Sequence, residues 1–216
     1  ILKAKRKDKM KQMSTKLIAF STLFTFFVNL SFASDIAVGN QLPKVLDTKV
    51  PVKLNYLIYL PKSYEESDKD WPLVLFLHGA GERGQNISNV TRLGLPREIA
   101  DGKEFPFIVI SPHCSKDSSW SRPDELVALN ALVDETISSY RVNKNKVYVT
   151  GLSMGGFGTW ALVGFYPDKF AAAAPVCGGG KTQYAAWGKI RIPIWAFHGD
   201  NDKIIPLSAS VEMIDA

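Results

Sequence analysis

Cysteine and histidine are scarce in this chain of 216 residues, which has two cysteines and three histidines. No C-x-x-C pair occurs, and these residues do not cluster at the spacings of known metal sites, so the sequence predicts no metal centre. The loop HGAGERG is rich in small residues but does not end in the Lys-Ser/Thr pair of a phosphate-binding loop, which argues against that role for it. We therefore expect chemistry that uses neither a metal nor a cofactor.

Excess positive charge is confined to the first 16 residues, although the whole chain carries a formal net charge of +5. This segment has seven Lys/Arg and one Asp, whereas the remainder has 19 Lys/Arg and 20 Asp/Glu. Because the remainder is close to neutral, its charge gives no support for nucleic-acid binding.

The basic segment precedes an apolar stretch with the layout of a secretory signal peptide. Residues 17–32 are mostly apolar but include several hydroxyl side chains, and a membrane-spanning helix needs roughly 20 apolar residues. Small residues at Ser31 and Ala33 fit a cleavage site. We expect residues 1–33 to be upstream residues plus a signal peptide, with no stable membrane anchor and a secreted or periplasmic product.

If the protein is exported, its two cysteines, Cys114 and Cys177, are in an oxidising compartment, where disulfides can form. Each follows a different predicted strand, and we expect these strands to lie well apart in the sheet. Free, buried thiols are therefore the favoured interpretation, and a disulfide between them is the alternative.

Hydrophobic patterning beyond the signal peptide predicts an α/β domain over residues 34–216. An alternating segment at 45–60 favours an antiparallel hairpin at a sheet edge, and the polar segment 63–70 favours a surface loop. Apolar runs typical of buried strands then alternate with helical patterns. The predicted strands are 72–79, 105–112, 146–151, 170–179 and 191–199, and the predicted helices are 95–102, 122–140, 155–166 and 208–216. This alternation predicts a mostly parallel sheet with helices on both faces.

Four loops that carry polar or glycine-rich motifs follow predicted strands. They read HGAGERG, SPHCSKDSSW, GLSMGG and HGDNDKIIP. The carboxyl ends of parallel strands meet at one edge of a sheet, so these loops should converge on a single site.

Ser153 in GLSMGG is the candidate nucleophile. A G-x-S-x-G motif between a strand and a helix presents serine on a tight, strained turn, and the flanking glycines leave room where a Cβ would clash. The first oxyanion donor in such an arrangement is the backbone N–H of the next residue, Met154, and the second comes from the loop after the first buried strand. We assign the second donor to Ala80, with Gly81 as the alternative.

Three motifs together, LHGAGERG, GLSMGGFGTW and HGDNDKIIP, resemble the α/β-hydrolase superfamily over roughly residues 45–216. The chain is most similar to its dienelactone-hydrolase-like and feruloyl-esterase-like branch, which includes secreted "predicted peptidase" proteins, phospholipase/carboxylesterases and polyhydroxybutyrate depolymerase relatives. The resemblance implies that Asp202 is the triad acid and that Asp200 is a turn residue.

The resemblance also implies a catalytic histidine some tens of residues after the acid, whereas His78, His113 and His198 all precede Asp202. We interpret His78 as structural and His198 as part of the turn before the acid, while His113 has no assigned role. The expectation is an incomplete reading frame that lacks the base, the last strand and the last helix. We expect the chain as written to be poorly stable and nearly inactive.

The favoured function is a secreted serine esterase whose substrates are small-molecule or polysaccharide esters, with feruloyl or acetyl groups implied by the resemblance. Trp120 is either an aromatic wall for such a group or a packing residue before the next helix. The alternatives are a serine peptidase of the prolyl-oligopeptidase type and a non-catalytic exported protein that keeps the fold.

Overall fold

The computed structural model describes residues 51–188 and 190–216. The expected signal peptide and the first part of the expected hairpin lie outside these residues. Within them, no helix combines the length and the apolar composition needed to cross a bilayer.

Strands and helices alternate between residues 71 and 176, as the patterning predicts, and a helix at Thr182–Gly188 is one that the patterning did not predict. The strands are β1 Tyr56–Tyr59, β2 Trp71–Leu77, β3 Ile108–Pro112, β4 Val142–Leu152 and β5 Ala172–Val176. The helices are α1 Gly94–Ala100, α2 Pro123–Ser139, α3 Met154–Phe165, α4 Thr182–Gly188 and α5 Ser208–Asp215, with short 3-10 turns at Ala80–Glu82 and Ile87–Arg92.

The sheet has the order β1-β3-β2-β4-β5. β2, β3, β4 and β5 pair in parallel, whereas β1 pairs antiparallel with β3, with Tyr56 opposite Pro112. An antiparallel strand at one edge agrees with the expectation for 45–60. Its partner in the described residues is β3, however, and not a neighbouring strand of a hairpin.

The fifth predicted strand, at 191–199, lies parallel to β5 but forms two separate bridges, Ala173 with Ile194 and Val176 with Phe197. Between these bridges lies Pro175, which has no N–H to donate to the ladder. The segment pairs with β5 where a strand is predicted but forms no continuous strand, and the proline explains why the pairing is interrupted.

The core lies between one face of the sheet and helices α2 and α3. Leu73, Leu75 and Leu77 of β2 are fully buried in one hydrophobic cluster with residues of both helices. The opposite face carries Val74 and Val109, which pair in register. Helix α1 lies on that opposite face, where it and Val109 line a cavity of about 190 Å³. Helices on both faces of a mostly parallel sheet confirm the predicted fold class.

The polar segment 63–70 runs over the surface as expected, except at Tyr64. That side chain is buried, and its hydroxyl accepts a hydrogen bond of 2.9 Å from the backbone N–H of Arg141. The aromatic ring anchors the loop to the segment between α2 and β4.

Candidate active site

Ser153 lies at a sharp bend between the end of β4 and the start of α3. Its φ of 54° and ψ of −116° are uncommon for a residue with a side chain. The bend is fixed by two backbone hydrogen bonds, from the N–H of Ser153 to Val176 O at 2.9 Å and from the N–H of Phe157 to Ser153 O at 3.0 Å. This strand–turn–helix geometry is the one that the sequence motif predicts.

The two glycines that flank the bend are required by close backbone approach. A Cβ added to Gly155 would lie 1.9 Å from the carbonyl oxygen of Leu77, and one added to Gly151 would lie 2.6 Å from the carbonyl oxygen of Gly155. Helix α3 therefore begins in direct contact with the end of β2. The glycine spacing allows the loops after β2 and β4 to meet.

The assigned oxyanion donors lie on these two neighbouring loops. Met154 is the first residue of α3, so its N–H has no partner within the helix and lies at the positive end of the helix dipole. Ala80 begins the 3-10 turn that follows β2, and it is exposed. Leu77 at the end of β2 pairs with Gly151 in β4, which puts both loops at the same edge of the sheet.

His78 directly follows the last residue of β2, and both of its ring nitrogens form hydrogen bonds. Its Nδ1 donates to Gly79 O at 2.6 Å, and its Nε2 accepts from the backbone N–H of Cys114 at 3.0 Å. Burial lowers the pKa of His78 to about 4, so the ring is neutral near pH 7. These contacts are those of a structural histidine.

His113 is also buried, and its Nε2 donates to the carbonyl oxygen of Glu82 at 3.1 Å. The histidine without an assigned role thus ties the loop after β3 to the loop after β2. The sequence offered no signal for this contact, because it depends on how the two loops approach each other.

Asp202 lies in a turn that its own side chain stabilises. Its Oδ1 accepts hydrogen bonds from the N–H groups of Ile204 at 2.8 Å and Ile205 at 3.0 Å, which hold the pKa of the carboxyl group below its usual range. His198 Nε2 donates to Ile205 O at 2.9 Å and is 3.8 Å from Asp202 Oδ2. His198 therefore closes the turn, and Asp200 lies exposed within it.

The turn that contains Asp202 is connected to the bend at Ser153 through the end of β5. The N–H of Cys177 donates to Phe197 O at 2.7 Å, directly before the turn, while Val176 accepts from Ser153. The hydroxyl of Ser210 in α5 donates to Gly178 O at 2.7 Å and also lies 2.7 Å from His198 Nδ1. The three sequence motifs therefore meet at the carboxyl edge of the sheet, as expected.

Sequence reasoning missed the part played by Gly178, which packs against the start of α3. A Cβ at Gly178 would lie 2.5 Å from the carbonyl carbon of Gly156. The available signal was the run of three glycines, 178–180, at the end of the predicted strand 170–179.

Trp120 lies in the core, and its side chain is 0% exposed. Its Nε1 donates to His78 O at 2.9 Å, and its ring packs edge-on against the imidazole of His78. A cleft wall needs an exposed ring face, which this position lacks. The environment matches the packing alternative and not the substrate-binding one.

Both cysteines are free thiols, as favoured by the sequence. Cys114 is fully buried, and burial raises the pKa of its thiol to about 12. Cys177 differs from the expectation because it is only partly buried at the end of β5. Among the described residues, no three His, Cys, Asp or Glu side chains are grouped so that they could hold a metal ion.

Comparisons with known proteins agree with this geometry. The family model described as "Putative esterase" matches residues 48–212. Feruloyl esterase B of Thermothelomyces thermophilus is 30% identical over 137 residues, which cover 59% of this chain and 45% of that protein. Poly(3-hydroxyalkanoate) depolymerase C of Paucimonas lemoignei is 30% identical over 121 residues, 50% of this chain and 28% of that protein. The chain thus spans less than half the length of each of these two relatives.

Solved structures show the same fold. A thermostable esterase matches with a TM-score of 0.64 and 33% identity, over 78% of this chain and 48% of that one. The feruloyl esterase module from Clostridium thermocellum, in complex with sinapinate, matches with a TM-score of 0.57 over 74% of this chain and 66% of that one; at 18% identity it shows the fold alone. With a family model that covers most of its length and a serine at the bend between β4 and α3, this chain belongs to the esterase family within the α/β-hydrolase superfamily.

Proposed function

We propose that the chain provides the nucleophile and the acid of a secreted serine hydrolase that cleaves carboxylic esters through an acyl-enzyme. The observation that carries this proposal is the positive φ of Ser153 at a strand-to-helix bend, beside two loops with backbone donors. Strained residues of this kind cluster at active sites because the surrounding structure must hold them in place.

In the proposed reaction, Ser153 Oγ gives its proton to a base and forms a bond with the ester carbonyl carbon. The carbonyl π electrons move to the oxygen, which accepts hydrogen bonds from the N–H groups of Met154 and Ala80. One such donor contributes about 3–4 kcal/mol of transition-state stabilisation. The intermediate expels the alcohol, which takes the proton from the base, and water then releases the acid from Ser153 by the same steps.

Asp202 is the proposed acid that orients the base. Its Oδ1 is occupied by two backbone donors, so Oδ2 is left to accept from an imidazole. His78 and His198 each use both ring nitrogens in other contacts, and His113 donates to the loop after β2. We therefore assign the base to a histidine outside these 216 residues, and we expect the 216-residue chain alone to have little activity.

The proposed substrates are feruloyl or acetyl esters of polysaccharide. Support comes from relatives named feruloyl esterase and a bifunctional acetylxylan esterase/xylanase, and it is an argument by analogy. Export is proposed from the signal-peptide pattern of residues 1–33 and from similarity to a secreted protein of Arthroderma benhamiae.

Hydrolysis assays with the full chain as the gene encodes it test this function. We expect turnover of methyl ferulate or p-nitrophenyl acetate by the wild type, loss of about 10⁴-fold or more in Ser153→Ala, and no turnover of a proline p-nitroanilide. Preference for the anilide would favour a peptidase. Absence of all three activities in a folded wild type would favour a non-catalytic protein.

A further inference from the structure

The loop of residues 79–84, here called the oxyanion loop, is held by side chains that bind its carbonyl groups. Its residues Ala80–Glu82 form a short 3-10 turn, in which the N–H of Glu82 donates to Gly79 O at 3.4 Å, and it pairs with no strand of the described residues. The bonds run from His78 Nδ1 to Gly79 O at 2.6 Å, from Arg83 Nε to Ala80 O at 3.1 Å and from His113 Nε2 to Glu82 O at 3.1 Å. Directly before the loop, Trp120 Nε1 donates to His78 O at 2.9 Å.

Arg83 binds two carbonyl oxygens with one guanidinium group, one in the oxyanion loop and one in the loop after β3. While Nε donates to Ala80 O, Nη1 donates to Ser118 O at 3.0 Å in the loop after β3. The backbone N–H of Gly84 donates to Cys114 O at 3.3 Å and ties the same two loops together. The rigid fork of arginine can hold two carbonyl oxygens in a fixed relation, which a lysine ammonium group cannot reproduce.

The peptide group between Ala80 and Gly81 links the contact with Arg83 to the proposed oxyanion site, because it carries both the Ala80 carbonyl and the Gly81 N–H. A trans peptide is planar, and its C=O and N–H point in opposite directions. Because Arg83 holds Ala80 O, the N–H of Gly81 points away from the guanidinium group. Apart from its chain neighbours, no residue has an atom within 4 Å of a Cβ built on Gly81, so there is open space beside this residue.

We infer that Arg83 is a positioning residue for ester hydrolysis: by holding Ala80 O and Ser118 O together, it orients the Gly81 N–H as a further donor to the oxyanion. This inference rests on the proposed function. Arg83 does not touch the reacting atoms and acts through the Ala80–Gly81 peptide group.

Arg83→Lys keeps the positive charge but loses the planar guanidinium group, and Arg83→Met loses both. Arg122→Met is the matched control. Arg122 is an exposed arginine at the start of α2 whose side chain pairs with Asp124. Two quantities are compared for each variant: kcat and KM for p-nitrophenyl acetate per active site titrated with a fluorophosphonate, and the inhibition constant of a trifluoromethyl ketone, whose tetrahedral adduct places an oxyanion in the hole.

Both Arg83 variants should lower kcat about 10- to 100-fold with KM nearly unchanged. They should also raise the inhibition constant of the trifluoromethyl ketone by a similar factor. Arg122→Met should match the wild type in both quantities. Wild-type values in Arg83→Lys would overturn the inference, since charge alone would then suffice. So would an equal loss in Arg122→Met, or a loss of kcat with unchanged affinity for the ketone. If Ser153→Ala keeps the esterase activity, the proposed function itself fails, and this outcome is independent of Arg83.

Discussion

The backbone N–H of Ser153 donates a hydrogen bond of 2.9 Å to the carbonyl oxygen of Val176, so the strained residue after β4 is held by the last residue of β5. The next residue, Cys177, has a φ of 40° and is bonded in turn to Phe197. Ser153 and Cys177 are the two non-glycine residues with positive φ in the part of the chain that the structure describes. Such strain persists only where neighbouring contacts over-determine it.

Gly155→Ala should disrupt the bend. The new methyl group would lie 1.9 Å from Leu77 O, which is backbone and cannot move without shifting β2. We expect a loss of about 2–4 kcal/mol in the free energy of unfolding, measured with urea, together with loss of activity. Gly199→Ala is the control, because no atom lies within 4 Å of its added Cβ. Equal stability of Gly155→Ala and Gly199→Ala would contradict the described contact.

Asp202→Asn should keep the fold and lose activity. The amide oxygen can still accept from Ile204 and Ile205, but it cannot stabilise a protonated imidazole, which in a serine triad costs about 10⁴-fold in kcat. Asp200→Asn, in the same turn, should stay within about twofold of the wild type. A kcat for Asp202→Asn close to that of the wild type would mean that Asp202 is not the triad acid.

The stability of the fold should decrease as pH falls from about 6.5 towards 4, in part because of His78. Its pKa is about 4 in the folded chain against an ordinary 6.5, so the unfolded chain binds the extra proton across this window and is favoured there. Urea midpoints at pH 7 and pH 5 should differ more in the wild type than in His78→Gln, which retains a donor and an acceptor. The same pH dependence in both proteins would mean that His78 is not the group responsible.

The two thiols should differ in reactivity. Cys114 is fully buried with a pKa of about 12, whereas Cys177 is partly exposed. Iodoacetamide at pH 8 should label Cys177 in the native protein and reach Cys114 only after denaturation, because the thiolate is the reactive form. Peptide mass spectrometry gives both rates. A disulfide-linked peptide, or faster labelling of Cys114, would contradict this arrangement.

Much of the fold follows from the sequence, because buried parallel strands are continuous apolar runs and the Ser153 bend has fixed glycine spacing. The pairing of β1 with β3 does not follow, since local alternation marks a strand but not its partner. The burial of Trp120 depends on contact with His78, 42 residues away. The contact between Ser210 and Gly178 also joins distant segments, 32 residues apart. Contacts of this kind are set by tertiary packing and leave no local pattern.

The nucleophilic role of Ser153 is tested most directly by reacting the full chain, as the gene encodes it, with a fluorophosphonate and mapping the adduct by peptide mass spectrometry. The account predicts one phosphonylated residue, Ser153, with labelling abolished in Ser153→Ala and blocked by prior treatment with a trifluoromethyl ketone. A folded wild-type protein that carries the adduct on another residue, or that carries none, would contradict it.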